Sequence, residues 1–249
     1  MAVSKFEQRR LAHRSLPLTS GHGINRTDIE SAVRDLGELE SDPRGAVQRK
    51  ARALIYEQGE RAEFVYEVID GTVMLSKALP DGRRQIVEIL GSGSLFGFSP
   101  VGDYSCRAQT LTHASLHIID GEQAKASAPL QQRYANQLIQ KFEVLQDHAL
   151  LLGRKSAIER IASFLLSLPH QAKAGASVAG HSGSQAFCRT RMNQREIGDY
   201  LGLKVETISR NLAILKRQMI IAKGKRGQFE LLDLAALRRL AGPPAGLFA

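Results

Sequence analysis

The chain has 249 residues, 43% apolar and 24% charged, and its 34 Lys and Arg against 25 Asp and Glu leave a net charge of +9. That length fits one or two domains with real cores, the positive balance points toward a polyanionic partner, and no run approaches the ~18 apolar residues that a membrane span requires. Two cysteines, Cys106 and Cys188, are too few for a disulfide scaffold or a four-thiolate metal site, and the seven histidines form no HExxH spacing, so no cofactor is expected.

Met1 to Leu18 carries Lys5, Arg9, Arg10 and Arg14 with no apolar stretch after them. A secretory signal is therefore not expected, and a cytoplasmic location is. Residues 1–26 read as a flexible N-terminus. Thr27-Asp28-Ile29-Glu30 has the spacing of a capping box and opens a short helix through Leu39. Residues 27–128 form the first domain. Within it, short apolar runs at Ala53–Tyr56, Phe64–Ile69, Thr72–Leu75, Gln85–Leu90 and Leu116–Ile119 are separated by glycine-bearing turns, the clearest being Pro80-Asp81-Gly82. Short, regularly spaced strands of this kind predict an antiparallel sandwich or jelly roll. Residues 129–154 predict one long helix in which Ala135, Leu138, Phe142, Leu145, Ala149 and Leu152 recur in alternating steps of three and four. Such a narrow seam suits a partner helix, so Leu138, Phe142, Leu145, Ala149 and Leu152 are the expected interface of a homodimer.

Charge divides at the end of that helix. Through Gly153 there are 18 basic and 19 acidic residues; beyond it, 16 basic face 6 acidic, a net of +10. A basic excess confined to the residues beyond Gly153 is the footprint of phosphate-backbone binding by a second domain, residues 155–249. Ser156 to Leu168 predicts an amphipathic helix, and His170 to Gln185 a loop or hairpin tip. The run Gln194 to Arg210 then has the spacing of a helix-turn-helix. Gly198 stands where two helices cross, Gly202 where the chain needs a left-handed turn, and Ile197, Leu201, Leu203 and Ile208 supply the wedge between the helices. The recognition helix spans Lys204 to Arg217. Glu206, Ser209 and Arg210 share one face and are the expected base readers: Arg210 can fork onto guanine, Glu206 can accept from cytosine, and Ser209 can approach a thymine. Ile220–Ala222 and Phe229–Leu232 flank the basic Lys223-Gly224-Lys225-Arg226-Gly227, which reads as a wing. Lys204, Thr207, Lys223, Lys225 and Arg226 are the expected contacts to the DNA backbone. Leu234 to Ala241 closes the domain as a helix.

Gly198-Asp199-Tyr200-Leu201-Gly202-Leu203 and Val205-Glu206-Thr207-Ile208-Ser209-Arg210, with Lys223-Gly224-Lys225 in the wing, resemble the CRP/FNR superfamily of bacterial transcription factors, most of all its FNR and FixK branches. The resemblance runs over residues 27–241. It implies an α+β protein with a cyclic-nucleotide-binding-like jelly roll, a dimerisation helix and a winged helix-turn-helix that reads a palindrome of TTGAT-type half-sites in double-stranded DNA. It also implies contact with RNA polymerase and activation of transcription. Two of the family's sensing devices are missing. Cyclic-nucleotide binders follow Phe-Gly with a Glu and place an Arg-Ser pair soon after, whereas here Phe98 follows Phe96-Gly97 and Tyr104-Ser105 stands near the expected pair. Iron–sulfur members carry an N-terminal cysteine group, and no cysteine precedes Cys106.

An effector-free activator is the reading these residues support. The alternatives are a regulator gated by haem or another small molecule, with His113 and His117 on one face of a strand, and a redox switch at Cys188, where Arg189 and Arg191 would favour the thiolate. An enzyme has no support, since no nucleophile–base or paired-carboxylate pattern stands out.

Overall fold

The computed structural model describes residues 46–168, 170–172, 186–224 and 227–242. The predicted helix over 27–39, the first 26 residues and residues 173–185 of the loop predicted over 170–185 lie outside them; residues 170–172 of that loop form a strand instead. Eight strands, β1 (Val47–Arg49), β2 (Leu54–Tyr56), β3 (Phe64–Asp70), β4 (Val73–Ala78), β5 (Arg84–Leu90), β6 (Leu95–Phe96), β7 (Arg107–Thr110) and β8 (Ala114–Asp120), build two antiparallel four-stranded sheets. Their orders are β1-β8-β3-β6 and β2-β7-β4-β5. Val68, Val73, Leu75, Leu90 and Leu116 fill the space between them together with four aromatic rings. Pro80-Asp81-Gly82 does form the β4–β5 turn: Leu79 and Arg83 pair across it, and Asp81 Oδ1 accepts the Arg83 N–H at 3.0 Å. Between β3 and β4, Gly71 (φ +91°) allows the chain to pass so close to β8 that a Cβ there would lie 2.3 Å from the His113 carbonyl oxygen. His113 sits in the turn ahead of β8 rather than on the strand with His117, and both are exposed, which removes the shared face that the haem alternative assumed.

After the barrel come α1 (Gly121–Ala126) and α2 (Ala128–Arg154). The Ser127 hydroxyl caps α2, Pro129 sits in its first turn, and 27 residues at 1.5 Å each make it about 40 Å long. One side of α2 lies against the barrel. Tyr134 stacks on Phe98 with centroids 3.8 Å apart, and Gln137 accepts from the Leu95 N–H and donates to the Gly93 carbonyl. Lys141 pairs with Glu88 at 2.9 Å. About a quarter turn away, Leu138, Phe142 and Leu145 are 46%, 60% and 55% exposed, and Ala149 is exposed with them. Ile139 and Leu150, also exposed, widen this strip beyond the seam read from the sequence. Leu152 differs from the expectation: it is half-buried, with its side chain close to Gly202.

The C-terminal domain contains α3 (Ala157–Ser167), β9 (His170–Ala172), β10 (Ala186–Arg189), α4 (Gln194–Leu201), α5 (Val205–Arg217), β11 (Ile221–Lys223), β12 (Gln228–Leu231) and α6 (Leu234–Ala241). Ser156 and Glu159 form a reciprocal capping box at the start of α3. The strands make one antiparallel sheet in the order β11-β12-β10-β9, so the wing hairpin is continued by the strands flanking residues 173–185. Ile161, Phe164, Leu165, Leu201, Ile208, Leu215, Leu231 and Leu237 form its core. That core does not stop at the domain boundary. Met74 and Ile86 of the barrel, together with Leu111, belong to the same buried cluster. Barrel and head lie in one compact unit, Glu40–Ala249. Among the described residues no helix is long and apolar enough to cross a membrane.

Candidate nucleic-acid interface

The helix-turn-helix is built from local backbone chemistry. Asn193 Oδ1 accepts the Glu196 N–H at 2.9 Å, and Glu196 Oε2 accepts the Asn193 N–H at 2.8 Å, closing the first turn of α4. Gly202 ends the helix in the left-handed conformation (φ 64°, ψ 36°). Gly198 lies under the turn, where a Cβ would fall 2.5 Å from the Leu203 carbonyl oxygen. Ile197, Leu201 and Ile208 are buried between the two helices and Leu203 packs against them. Both glycines and the apolar wedge therefore stand where the sequence puts them.

On α5, Ile208, Leu212 and Leu215 face the core. Glu206, Ser209 and Arg210 are all exposed on the opposite face. Lys204 is exposed at the N-cap, and Thr207 is half-buried, its carbonyl accepting from Asn211 Nδ2 at 2.8 Å. Lys223 is exposed at the end of β11, while Lys225 and Arg226 lie outside the described residues. Val205, in the first turn of α5, is exposed beside Glu206.

The barrel is filled by its own side chains. Tyr56 and Tyr104 stack at 3.6 Å, and Tyr66 and Phe96 at 5.2 Å. The Tyr104 hydroxyl donates to the Phe64 carbonyl at 2.8 Å and accepts the Phe64 N–H at 3.2 Å. Burial raises the Tyr56, Tyr66 and Tyr104 phenols above their ordinary range. An open cavity of about 600 Å³ lies instead against the C-terminal half of α2, among His148, Phe164, Tyr200 and Arg238. Among the described residues no group of three or more His, Cys, Asp or Glu could hold a metal ion.

The alternative of an activated thiol at Cys188 is corrected by the structure. The residue is fully buried in the core of the head, and desolvation pushes the thiol up to about 11, against a smaller opposing effect of backbone hydrogen bonds at Cys188 and Phe229. Arg191 is exposed and does not reverse this.

A β barrel of this topology, a long helix and a winged helix-turn-helix whose second helix leaves its outer face exposed together define a DNA-binding transcription regulator. Residues 46–126 match the cyclic nucleotide-binding domain and residues 159–240 the Crp-like helix-turn-helix domain. The nitrogen fixation regulation protein FixK of Rhizobium meliloti (strain 1021) is 32% identical over 203 residues, covering 80% of this chain and 89% of the relative. The transcriptional activatory protein AadR of Rhodopseudomonas palustris is 30% identical over 230 residues, covering 85% and 91%. The structure of FixK2 from Bradyrhizobium japonicum superposes with a TM-score of 0.64 at 31% identity, covering 80% of this chain and 98% of that one. The chain belongs to the CRP/FNR family of transcription regulators and is FixK-like within it. The relatives named are regulators, not enzymes.

Proposed function

We propose that this protein is a homodimeric, cytoplasmic transcription activator that reads a palindrome of TTGAT-type half-sites and binds it without a cyclic nucleotide. The observation that carries the reading is the free face of α5, where Glu206, Ser209 and Arg210 are exposed together on a helix locked from behind by Gly198. Two further features support it. The apolar strip on α2 is exposed in the single chain and offers a two-fold partner helix its own copy. The barrel, packed with tyrosines where Phe98 and Tyr104 replace the nucleotide-binding pattern, supports effector-free binding. Activation through RNA polymerase is the corresponding output.

Selection of bound sequences from random duplex DNA tests the reading, and a palindromic TTGAT-type consensus is the expected product. Arg210→Ala costs roughly 1–3 kcal/mol per half-site and relaxes selection at one guanine, whereas Lys223→Ala weakens all duplexes alike. Equal losses on consensus and scrambled DNA for Arg210→Ala would remove the base-reading role.

A further inference from the structure

The first helix of the helix-turn-helix is held at both ends by residues from outside the motif. At its N-terminus, Arg52 Nη1 pairs with Glu196 Oε1, and Arg52 Nη2 donates to the Arg191 carbonyl at 2.9 Å. Midway, Arg84 of β5 donates twice to Asp199 Oδ2, at 2.9 and 2.5 Å. At the C-terminus the orphan carbonyls find side chains. Tyr200 O accepts from Gln85 Nε2 and from His148 of α2, each at 2.9 Å, and Leu201 O accepts from Arg160 at 3.0 Å. The His148 ring also stacks on Tyr200. Arg160 in addition donates to the Leu152 and Lys155 carbonyls, tying the end of α2 to the end of α4.

These contacts are built with some strain. Arg52 is a non-glycine residue in the left-handed region (φ 68°), kept there by its N–H bond to Thr110 O and by Gln109 Nε2 donating to its carbonyl at 2.7 Å. Backbone held in a sparsely populated region marks a position over-determined by its surroundings, and here the result is a guanidinium aimed at Glu196. Glu196 is buried, and Arg84 and Asp199 are largely shielded, so these are not freely solvated surface pairs.

We propose that the barrel acts as a fixed brace for the reading head. In this arrangement Arg52 and Arg84 are positioning residues that hold α4, and through the Gly198 crossing α5, in the one orientation that suits both half-sites. The inference rests on the reading of α5 as the DNA-reading helix. It follows from what the contacts leave open: with every one of them made, Glu206, Ser209 and Arg210 remain exposed, so the docked state does not cover the reading face. Orientation is then supplied by permanent protein contacts and needs no ligand.

The test compares full-length protein with Arg84→Ala, Arg52→Ala, the double variant, and the exchanged pair Arg84→Asp with Asp199→Arg. Arg83→Ala serves as control, because it removes a neighbouring charge that pairs with Asp81 and not with α4. Affinity is read on the selected palindrome and on a single half-site, and calorimetry follows unfolding without DNA. The double variant is expected to lose at least about tenfold on the palindrome while staying within about twofold on the half-site, the exchanged pair to recover most of that loss, and Arg83→Ala to match the parent. Calorimetry is expected to split one transition into two in the double variant. Palindrome affinity that is unchanged or raised, or a half-site loss of equal size, overturns the brace; raised affinity would mean that the contacts restrain the head in an unproductive orientation. If the parent protein selects no DNA, the functional reading fails, and a single transition retained in the double variant overturns the brace independently.

Discussion

Leu145→Asp probes the proposed dimer at the middle of the exposed strip on α2. Leu145 has 55% of its surface free, and complete burial of a leucine is worth ~1.5–3 kcal/mol, so covering the free part contributes about 1 kcal/mol per side chain. Two-fold symmetry counts the substitution twice, for about 2 kcal/mol lost before the charge is considered. At 1.4 kcal/mol per tenfold, that alone raises the dissociation constant about 30-fold. Two facing carboxylates without partners in an apolar seam add roughly 3 kcal/mol or more, enough to leave monomer at micromolar concentration. Because the side chain points away from its own barrel, the monomer should melt at nearly the parent temperature. Sedimentation equilibrium over a concentration series gives the constant directly. Val101→Asp, on a barrel loop and 80% exposed, is the matched control and should leave the mass unchanged. An unaltered constant for Leu145→Asp, with Val101→Asp also silent, would refute the assignment and move the interface off α2.

Three further outcomes follow from the interior of each domain. Millimolar cyclic AMP should not move the melting temperature, whereas a native-state ligand at 100 times its Kd adds ~2.7 kcal/mol and shifts the midpoint by several degrees; a scan with and without the nucleotide decides it. Cys188 should resist alkylation in the native protein at neutral pH and react only on unfolding, with Cys106 modified first, which mass spectrometry of quenched samples reads. Its titration also has a sign. The native thiol holds its proton to about 11 against an ordinary 9.0, so its contribution is complete below pH 9 and is lost as pH rises toward 11. Denaturation midpoints across that range should fall, and more steeply for the parent than for Cys188→Ala.

The parts of this molecule that were legible in the sequence are those decided within a few residues. Gly198 and Gly202 announce a close crossing and a left-handed turn because backbone sterics alone demand them, and the α2 seam is visible because helical period is a local property. β7 was not legible: in Arg107-Ala108-Gln109-Thr110 only one residue is apolar, and the strand exists because β2 and β4 pair with it on both sides. β1 and β6 failed in the same way, being two or three residues long and defined by their partners. The redox alternative at Cys188 took arginines nearby in sequence as its surroundings, while the strand turns the thiol into the core. The barrel residues that hold α4 had no local signal. Arg52 and Glu196 are 144 positions apart, and Arg84 and Asp199 are 115 apart.

Glu196 has a consequence for modularity. One of its oxygens closes the first turn of α4 and the other meets a guanidinium from the barrel, so a single carboxylate serves both local helix geometry and the contact between domains. A winged head excised from this chain, or grafted onto a barrel with no arginine in the Arg52 position, would keep its capping box yet carry a buried anion without its counter-charge. Chimeras with relatives should therefore express and melt according to whether that arginine is supplied. The transferable unit is the head together with the β1–β2 turn, two stretches that the gene keeps far apart.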